Sequence, residues 1–173
     1  MKKRRKRNHL NHRTSHKTHI NWKKLIFSFG IVFLFAVIGS FLTFQHTGGI
    51  WYNLVKPSIT PPAWVFSVTW SILFVFIALS LYFALTNVKS RKQKHAVEIS
   101  FGANFIFGVA WSFFFFMLRK PVYAFYDLIL LWISIIAMIL ITSRISKKSA
   151  WLLVPYLVWV SFAGALNYLT IAG

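Results

Sequence analysis

The sequence predicts an all-α integral membrane protein, built as a bundle of five transmembrane helices. Hydrophobic residues make up 57% of the chain and charged residues 13%, whereas an ordinary soluble domain carries about 25% charged residues. Five uncharged or nearly uncharged runs are each long enough for a helix to cross the hydrocarbon core of a bilayer. The net charge of +18 is confined to a tail and short loops. We therefore predict the lipid bilayer as a partner and no binding to nucleic acid.

The first stretch, residues 1–24, is predicted to be a disordered polybasic tail in the cytoplasm. It contains ten Lys or Arg residues and no acid, so it cannot bury enough apolar surface to fold. Two interpretations stay open for it. The tail serves as a topology anchor, or it adheres to anionic headgroups, with about 1 kcal/mol gained per basic residue near the surface.

The remaining residues, 25–173, are predicted to form the transmembrane domain. Its spans are expected at about 25–44, 63–86, 99–118, 122–142 and 150–172. The loop before the second span is held extended by Pro57, Pro61 and Pro62, because proline fixes its own φ and disfavours helix in the preceding residue. Thr60 is predicted to cap the second helix. In the last span Pro155 is expected to introduce a bend.

Basic residues in the loops predict the orientation. The tail contains ten, the loop of residues 87–96 four and the loop of residues 143–149 three. The other side has only Lys56, Arg119 and Lys120. By the positive-inside rule, the N-terminus lies in the cytoplasm and the proline-rich loop and C-terminus lie outside.

Three predicted helix faces alternate large rings with small residues and could enclose a flat slot. The residues of each face are spaced by about one helical turn. Alternatively, small residues in membrane helices allow close packing, and tryptophans form interfacial belts. The faces comprise Phe66, Trp70 and Phe74 on the second helix, Gly108 and Ser112 on the third, and Trp159, Ala163 and Leu166 on the fifth.

Asp127 is the one acidic residue within a predicted span. A carboxylate inside a membrane is a functional candidate by default, and it would be the coupling site if this were a proton-coupled efflux carrier of the small multidrug type. We favour the other interpretation, which is structural, with Asp127 paired to Arg119 or a tyrosine. Asn104 and Asn167 are predicted to form hydrogen bonds between helices.

Several kinds of chemistry have no support in the sequence. The chain has no cysteine, and none of its six histidines falls within a predicted span, so thiolate sites and axial histidine ligation of a haem inside the bilayer are excluded. Motifs of hydrolases, phosphate loops and carboxylate pairs are also missing. We predict no metal and no cofactor, and conventional enzymatic activity is unsupported.

Two blocks of sequence, with further residues between them, form a recognisable pattern. The first block contains Trp51-Tyr52, Lys56-Pro57-Ser58, Pro61-Pro62, Trp64-Val65-Phe66 and Trp70. The second contains Ala150 to Tyr156, Trp159, Phe162-Ala163 and Leu166-Asn167-Tyr168. Between them lie Trp111-Ser112, Phe115-Phe116, Arg119, Pro121 and Asp127. Over about residues 25–170 this pattern resembles the tryptophan-rich sensory protein family, whose mitochondrial relative is the translocator protein or peripheral benzodiazepine receptor.

This resemblance implies a function and a site. The family binds porphyrins and other flat hydrophobic ligands inside its five-helix bundle, under the loop after the first helix, which adds Trp51 and Tyr52 to the expected ligand contacts. It also implies a sensor, receptor or carrier, a homodimer, and residence in the plasma membrane of a bacterium. An alternative is light-dependent degradation of the porphyrin, in which Trp70 and Trp159 would be the reacting residues.

Overall fold

A computed structural model describes residues 20–44, 46–47 and 49–173. The polybasic stretch of residues 1–19 lies outside the described residues, so its predicted disorder and its contact with anionic headgroups stay predictions. Throughout the described part the regular structure is helical, with no strand. The elements are α1 (Trp22–Phe44), α2 (Ile50–Val55), α3 (Ala63–Asn87), α4 (Arg91–Ser112) with a π-helical turn (Phe113–Met117), α5 (Pro121–Ser143) and α6 (Lys147–Ala172).

Five helices are long and apolar enough to cross a membrane: α1, α3, α4 with its π-helical turn, α5 and α6. They form a closed ring in which α1 packs on α3, α3 on α6, α6 on α5, α5 on α4, and α4 again on α1. The predicted fold class is confirmed. At the centre of the ring lie side chains that are almost fully buried, among them Phe101, Ile135, Met138, Leu153 and Val160.

The first helix begins earlier than predicted. Residues 22–24 were assigned to the disordered tail, but α1 starts at Trp22. Two contacts explain this start: the Asn21 side chain accepts a hydrogen bond from the backbone N–H of Lys24 at 3.2 Å, and the Lys24 ammonium donates to the carbonyl of Leu85 at 2.6 Å. The first is a helix cap and the second ties α1 to the end of α3.

Two further helices also extend beyond the apolar runs from which their spans were predicted. α4 begins at Arg91 because Ser90 caps it, accepting a hydrogen bond from the N–H of Gln93. α6 begins at Lys147, after Ser146 accepts one from the N–H of Ser149. Hydropathy marks the part of a helix that lies in lipid, whereas capping marks where the helical backbone starts.

The predicted cap of α3 is wrong. The residue before Ala63 is Pro62, with φ −55° and ψ 149°, and no side chain caps the helix. Pro61 and Pro62 separate Thr60 from the first helical amides by an extended segment, so its hydroxyl cannot reach them. Instead, the Thr60 hydroxyl is buried and has no hydrogen-bond partner among the described residues.

A buried polar network joins α4, α5 and α6 near the middle of the bundle. The Asn104 amide donates to the Ser134 hydroxyl at 2.8 Å, and its oxygen accepts from the Tyr156 hydroxyl at 3.3 Å. The prediction that Asn104 forms interhelical hydrogen bonds is confirmed.

Replacing Tyr156 by phenylalanine should lower the free energy of unfolding by about 1 kcal/mol, because it removes one interhelical hydrogen bond and leaves the ring in place. Thermal unfolding in detergent measures the change. Tyr123→Phe is the matched control, since that ring is 61% exposed. Equal melting temperatures for the two variants would show that the Tyr156 hydroxyl contributes nothing to stability.

Candidate ligand site between α3 and α6

The two ends of the bundle differ in charge. We call them the basic end, where α1, α4 and α6 begin, and the loop end, which carries α2 and the proline-rich segment before α3. Among the described residues the loop end has three cations, Lys56, Arg119 and Lys120. The basic end has nine: Lys23, Lys24, Lys89, Arg91, Lys92, Lys94, Arg144, Lys147 and Lys148.

Between the loop end and the middle of the bundle, aromatic side chains of α3 and α6 meet in two groups, which together we call the ring row. In the first group, Phe66 meets Trp159 edge to face, with ring centroids 5.5 Å apart and an interplanar angle of 68°, and Phe162 lies beside Trp159 at 5.5 Å. In the second group, Trp70 stacks on Phe74 at 5.5 Å and meets Tyr156 at 6.1 Å and 66°.

The ring row brings together four residues that the sequence singled out: Phe66, Trp70, Phe74 and Trp159. Trp70 and Trp159 lie on facing surfaces of α3 and α6, one turn apart along the interface, and each contacts a ring of the opposite helix. Edge-to-face and offset arrangements of this kind stabilise aromatic pairs by about 0.5–1.5 kcal/mol beyond area burial. The arrangement therefore offers several flat π-surfaces within one interface.

The indole N–H of Trp159 is buried and has no hydrogen-bond partner among the described residues. A buried indole N–H normally finds an acceptor, and leaving a donor unpaired costs about 1–3 kcal/mol. The ring row thus contains a buried donor that no protein group uses. A ligand with a carbonyl or carboxylate oxygen could supply the missing acceptor.

The short helix α2 covers the loop end through Trp51 and Tyr52. Trp51 meets Phe115 at 5.7 Å and 68°, and Tyr52 meets Phe116 at 5.8 Å. Burial raises the pKa of Tyr52 above its ordinary value, so this phenol stays neutral at physiological pH. The Lys56 ammonium lies 6.0 Å from the centre of the Tyr52 ring, within reach of a cation–π attraction.

The π-helical turn at the end of α4 explains how Phe115 and Phe116 come to face inward. Its wider turn is closed by a hydrogen bond from the N–H of Leu118 to the carbonyl of Phe113, at 3.0 Å. Two residues after the turn ends at Met117, Arg119 has a φ of 54°, in the left-handed region. Phe115 and Phe116 are 6% and 5% exposed and form, with Ala124, a second apolar cluster on which α2 rests.

The ring contacts do not include the other predicted site residues, which are Gly108 and Ser112 on α4 and Ala163 and Leu166 on α6. A side chain added at Gly108 would meet nothing within 4 Å, so there is open space beside this glycine. The Ser112 hydroxyl bonds to the carbonyl of Gly108 at 3.5 Å and approaches Gly39 of α1. Leu166 is buried, and Ala163 is partly buried against the core.

Sequence reasoning missed Tyr156 and Trp111 as residues of this region. Tyr156 lies three positions before Trp159, and Trp111 three after Gly108, so helical spacing places each pair on one face. The Trp111 indole donates to the Asn167 oxygen at 3.1 Å, while the Asn167 amide donates to the carbonyl of Pro121 at 2.9 Å. Asn167 is thereby confirmed as an interhelical hydrogen-bond former, and it fixes α6 against α4 and α5.

Asp127 lies on α5, 7% exposed. The expected pairing with Arg119 is wrong: the ion pairs of the described structure join Glu98 to Lys94 and to His95 at the basic end. One carboxylate oxygen of Asp127 is fully buried and unpartnered within the described residues. No group of three potential metal ligands occurs in the described part of the chain.

The fold and the site define a class of protein: an all-helical, multi-pass membrane protein of five spans, with an aromatic interface at one end of its bundle. The chain matches the TspO/MBR family over residues 28–172. It belongs to this family, as the resemblance of its tryptophan-containing blocks had indicated.

Individual relatives agree with this assignment. The chain is 38% identical over 128 residues to the tryptophan-rich protein TspO of Chlorobaculum tepidum, covering 73% of this chain and 81% of the relative. It is 36% identical over 151 residues to the protein of the same name from Archaeoglobus fulgidus, covering 86% and 95%. The translocator protein of Bos taurus is 31% identical over 140 residues, covering 78% and 83%.

Proposed function

We propose that this chain is a membrane receptor or carrier that binds porphyrins and similar flat hydrophobic ligands at the ring row between α3 and α6. The observation that carries the proposal is the ring row with its unpartnered Trp159 N–H. Relatives named translocator protein and tryptophan-rich protein are consistent with such a role.

The chemistry of a porphyrin suits the ring row. Its large flat π-surface can stack on indole and phenyl rings with offset geometry. Many porphyrins also carry peripheral carboxylates, and one such oxygen would accept the hydrogen bond that Trp159 can donate. A bound porphyrin would replace ring–ring contacts by ring–porphyrin contacts, and it would give the Trp159 N–H an acceptor that it now lacks.

Access to the site requires side-chain movement. Phe66 and Trp159 are in edge contact, so a flat ligand enters only when these rings separate. α2 contributes no residue to the bundle core, and its contacts with the bundle are made by the rings of Trp51 and Tyr52. We infer that α2 acts as the cover of the site and that Trp51 and Tyr52 hold it closed.

Titration with protoporphyrin tests the proposal. In the dark, binding should quench tryptophan fluorescence saturably, with one ligand per chain. The same samples are then illuminated and the porphyrin absorbance followed. A stable absorbance supports a receptor or carrier, whereas progressive bleaching that depends on the protein supports the alternative of porphyrin degradation through Trp70 and Trp159. Failure to saturate the quenching would contradict the proposed site.

A second candidate function is a proton-coupled carrier, which one observation favours. The carboxylate of Asp127 is buried within the bundle with an unpartnered oxygen. An intramembrane carboxylate that has no structural partner is free to bind and release a proton, as coupling requires. Uptake of a substrate into vesicles under an imposed proton gradient distinguishes this carrier from a receptor.

The orientation proposed from the basic residues places the basic end in the cytoplasm and the loop end outside, and the bacterial plasma membrane is what the resemblance implies. Since the chain has no cysteine, single introduced cysteines report topology without interference. A cysteine at Thr47 should react with an impermeant thiol reagent in intact cells, while one at Gln93 should react only after lysis. Labelling of both residues, or of Gln93 alone, would contradict the orientation. The homodimer implied by the resemblance stays a prediction.

A further inference from the structure

A groove opens on the surface of the basic end, between the last turns of α3 and the first turns of α6. Its volume is about 450 Å³, and it shares no lining residue with the ring row, from which it lies toward the basic end on both helices. The residues that line it are Phe83, Lys147, Lys148, Trp151 and Leu152.

The walls of this groove are fixed by hydrogen bonds between the two helices. The Ser80 hydroxyl donates to the carbonyl of Ser149 at 2.9 Å, and the Ser149 hydroxyl donates to the carbonyl of Ser80 at 2.7 Å. Both serines are completely buried. The reciprocal pair holds α3 and α6 together beside the groove.

The two parts of the groove differ in chemistry. Phe83, Trp151 and Leu152 form an apolar wall, with Trp151 71% exposed. Lys147 and Lys148, both exposed, stand at the start of α6. An exposed indole close to a helix end prefers the boundary between acyl chains and headgroups, and lysines beside it extend into the headgroup layer.

The two lysines have no acidic partner within the chain. The sequence contains only two acidic residues: Asp127 is buried on α5, and Glu98 is paired with Lys94 at 3.5 Å. Neighbouring cations without an intramolecular counter-charge attract an external anion. The adjacent apolar wall indicates that this anion carries a hydrocarbon chain.

We propose that the groove is a binding site for one anionic glycerophospholipid. Its phosphate is held by Lys147 and Lys148, and an acyl chain lies against Trp151, Phe83 and Leu152. Free phosphate would use the lysines and leave the apolar wall empty, so the groove as a whole fits the lipid. This site is separate from the ring row and does not depend on what binds there.

Lipid binding to the purified full chain, followed by native mass spectrometry with phosphatidylglycerol as the probe, tests the proposal. Replacing both lysines, Lys147→Gln and Lys148→Gln, should weaken the first phosphatidylglycerol bound by at least about tenfold, as expected for two cations near the surface. Trp151→Ala, which keeps both lysines, should also weaken it. Phosphatidylcholine should bind more weakly than phosphatidylglycerol to the unchanged chain.

The matched control removes the same charge from the same end of the bundle. Lys89 and Lys92 are both exposed and lie outside the groove lining, so replacing both by glutamine should change the affinity less than about threefold. An equal loss in the two double variants would mean general attraction to a basic surface and would overturn the site. So would unchanged binding in both, or displacement of the lipid by inorganic phosphate. Unfolding temperatures show that each variant is folded.

Discussion

Replacing Trp70 or Trp159 by alanine should weaken protoporphyrin binding in the dark by about 1–3 kcal/mol, which is roughly 5- to 150-fold. Each substitution removes a stacking surface from the ring row, and Trp159→Ala also removes the unpartnered N–H. Fluorescence would lose part of its signal with each tryptophan, so absorbance titration is the suitable measurement.

Phenylalanine at the same positions separates stacking from hydrogen bonding. Trp70→Phe keeps a ring and should retain most of the affinity. Trp159→Phe keeps a ring but loses the donor, so its affinity should fall between those of the native chain and Trp159→Ala. If illumination bleaches the bound porphyrin, both phenylalanine variants should slow the bleaching, because they lack the oxidisable indole.

Two tryptophans outside the ring row serve as controls. Trp22, at the start of α1, is 63% exposed, and Trp132 is 37% exposed on α5, where its N–H donates to the Ser161 hydroxyl at 2.9 Å. Alanine at either position should leave porphyrin affinity within about threefold of the native value. Losses as large as those of Trp70→Ala and Trp159→Ala would place the ligand elsewhere in the bundle.

Replacing Asp127 by asparagine should leave the protein at least as stable as the native chain, with an expected gain of about 1–3 kcal/mol in the free energy of unfolding. The sequence alone favoured a structural pairing, for which the same change would be destabilising. In the structure the carboxylate oxygen is buried and unpartnered. Removing its charge while keeping its size therefore relieves a cost. Thermal unfolding in detergent measures the difference.

Glu98→Gln is the matched control, since Glu98 is the other acid of the chain and its side chain is 44% exposed in its ion pairs. Loss of the Glu98 charge should change the free energy of unfolding by less than about 1 kcal/mol. A marked drop in stability for Asp127→Asn would show that the carboxylate is paired in the membrane after all. Loss of proton-driven uptake by a variant of undiminished stability would favour the carrier over the receptor.

The five spans were predictable from the sequence because hydropathy identifies the segments that lie in the hydrocarbon core of the bilayer. The first residues of the helices were harder to predict. α1 begins at Trp22 and α4 at Arg91, in polar segments whose helical structure depends on capping by Asn21 and Ser90. Threonine is common at helix caps, but Thr60 is followed by two prolines. Because proline has no N–H, no backbone amide is within reach of the Thr60 hydroxyl. Caps depend on local backbone geometry, which composition does not reveal.

The aromatic site was predictable in part. Helical spacing placed Phe66, Trp70 and Phe74 on one face of α3 and Trp159 on a face of α6, and the family resemblance then favoured a ligand between these faces. Tyr156 was missed because its contact with Trp70 follows from the order of helices around the ring, which periodicity within one helix does not determine. The π-helical turn was not predictable either, since four successive phenylalanines are equally compatible with an α-helix.

The π-helical turn Phe113–Met117 determines where near the loop end a one-residue change in chain length can be tolerated. A π-helical turn accommodates one residue more than an α-helical turn over a similar rise. The chain could lose a single residue here and revert to α-helix without disturbing the register of α4 against its neighbours. The same deletion in the α-helical part of α4 would instead rotate the following segment by about 100°, which would turn Phe115 and Phe116 away from α2. A one-residue deletion within the π-helical turn would thus keep both the bundle and the cover of the site in register, while a deletion earlier in α4 would not.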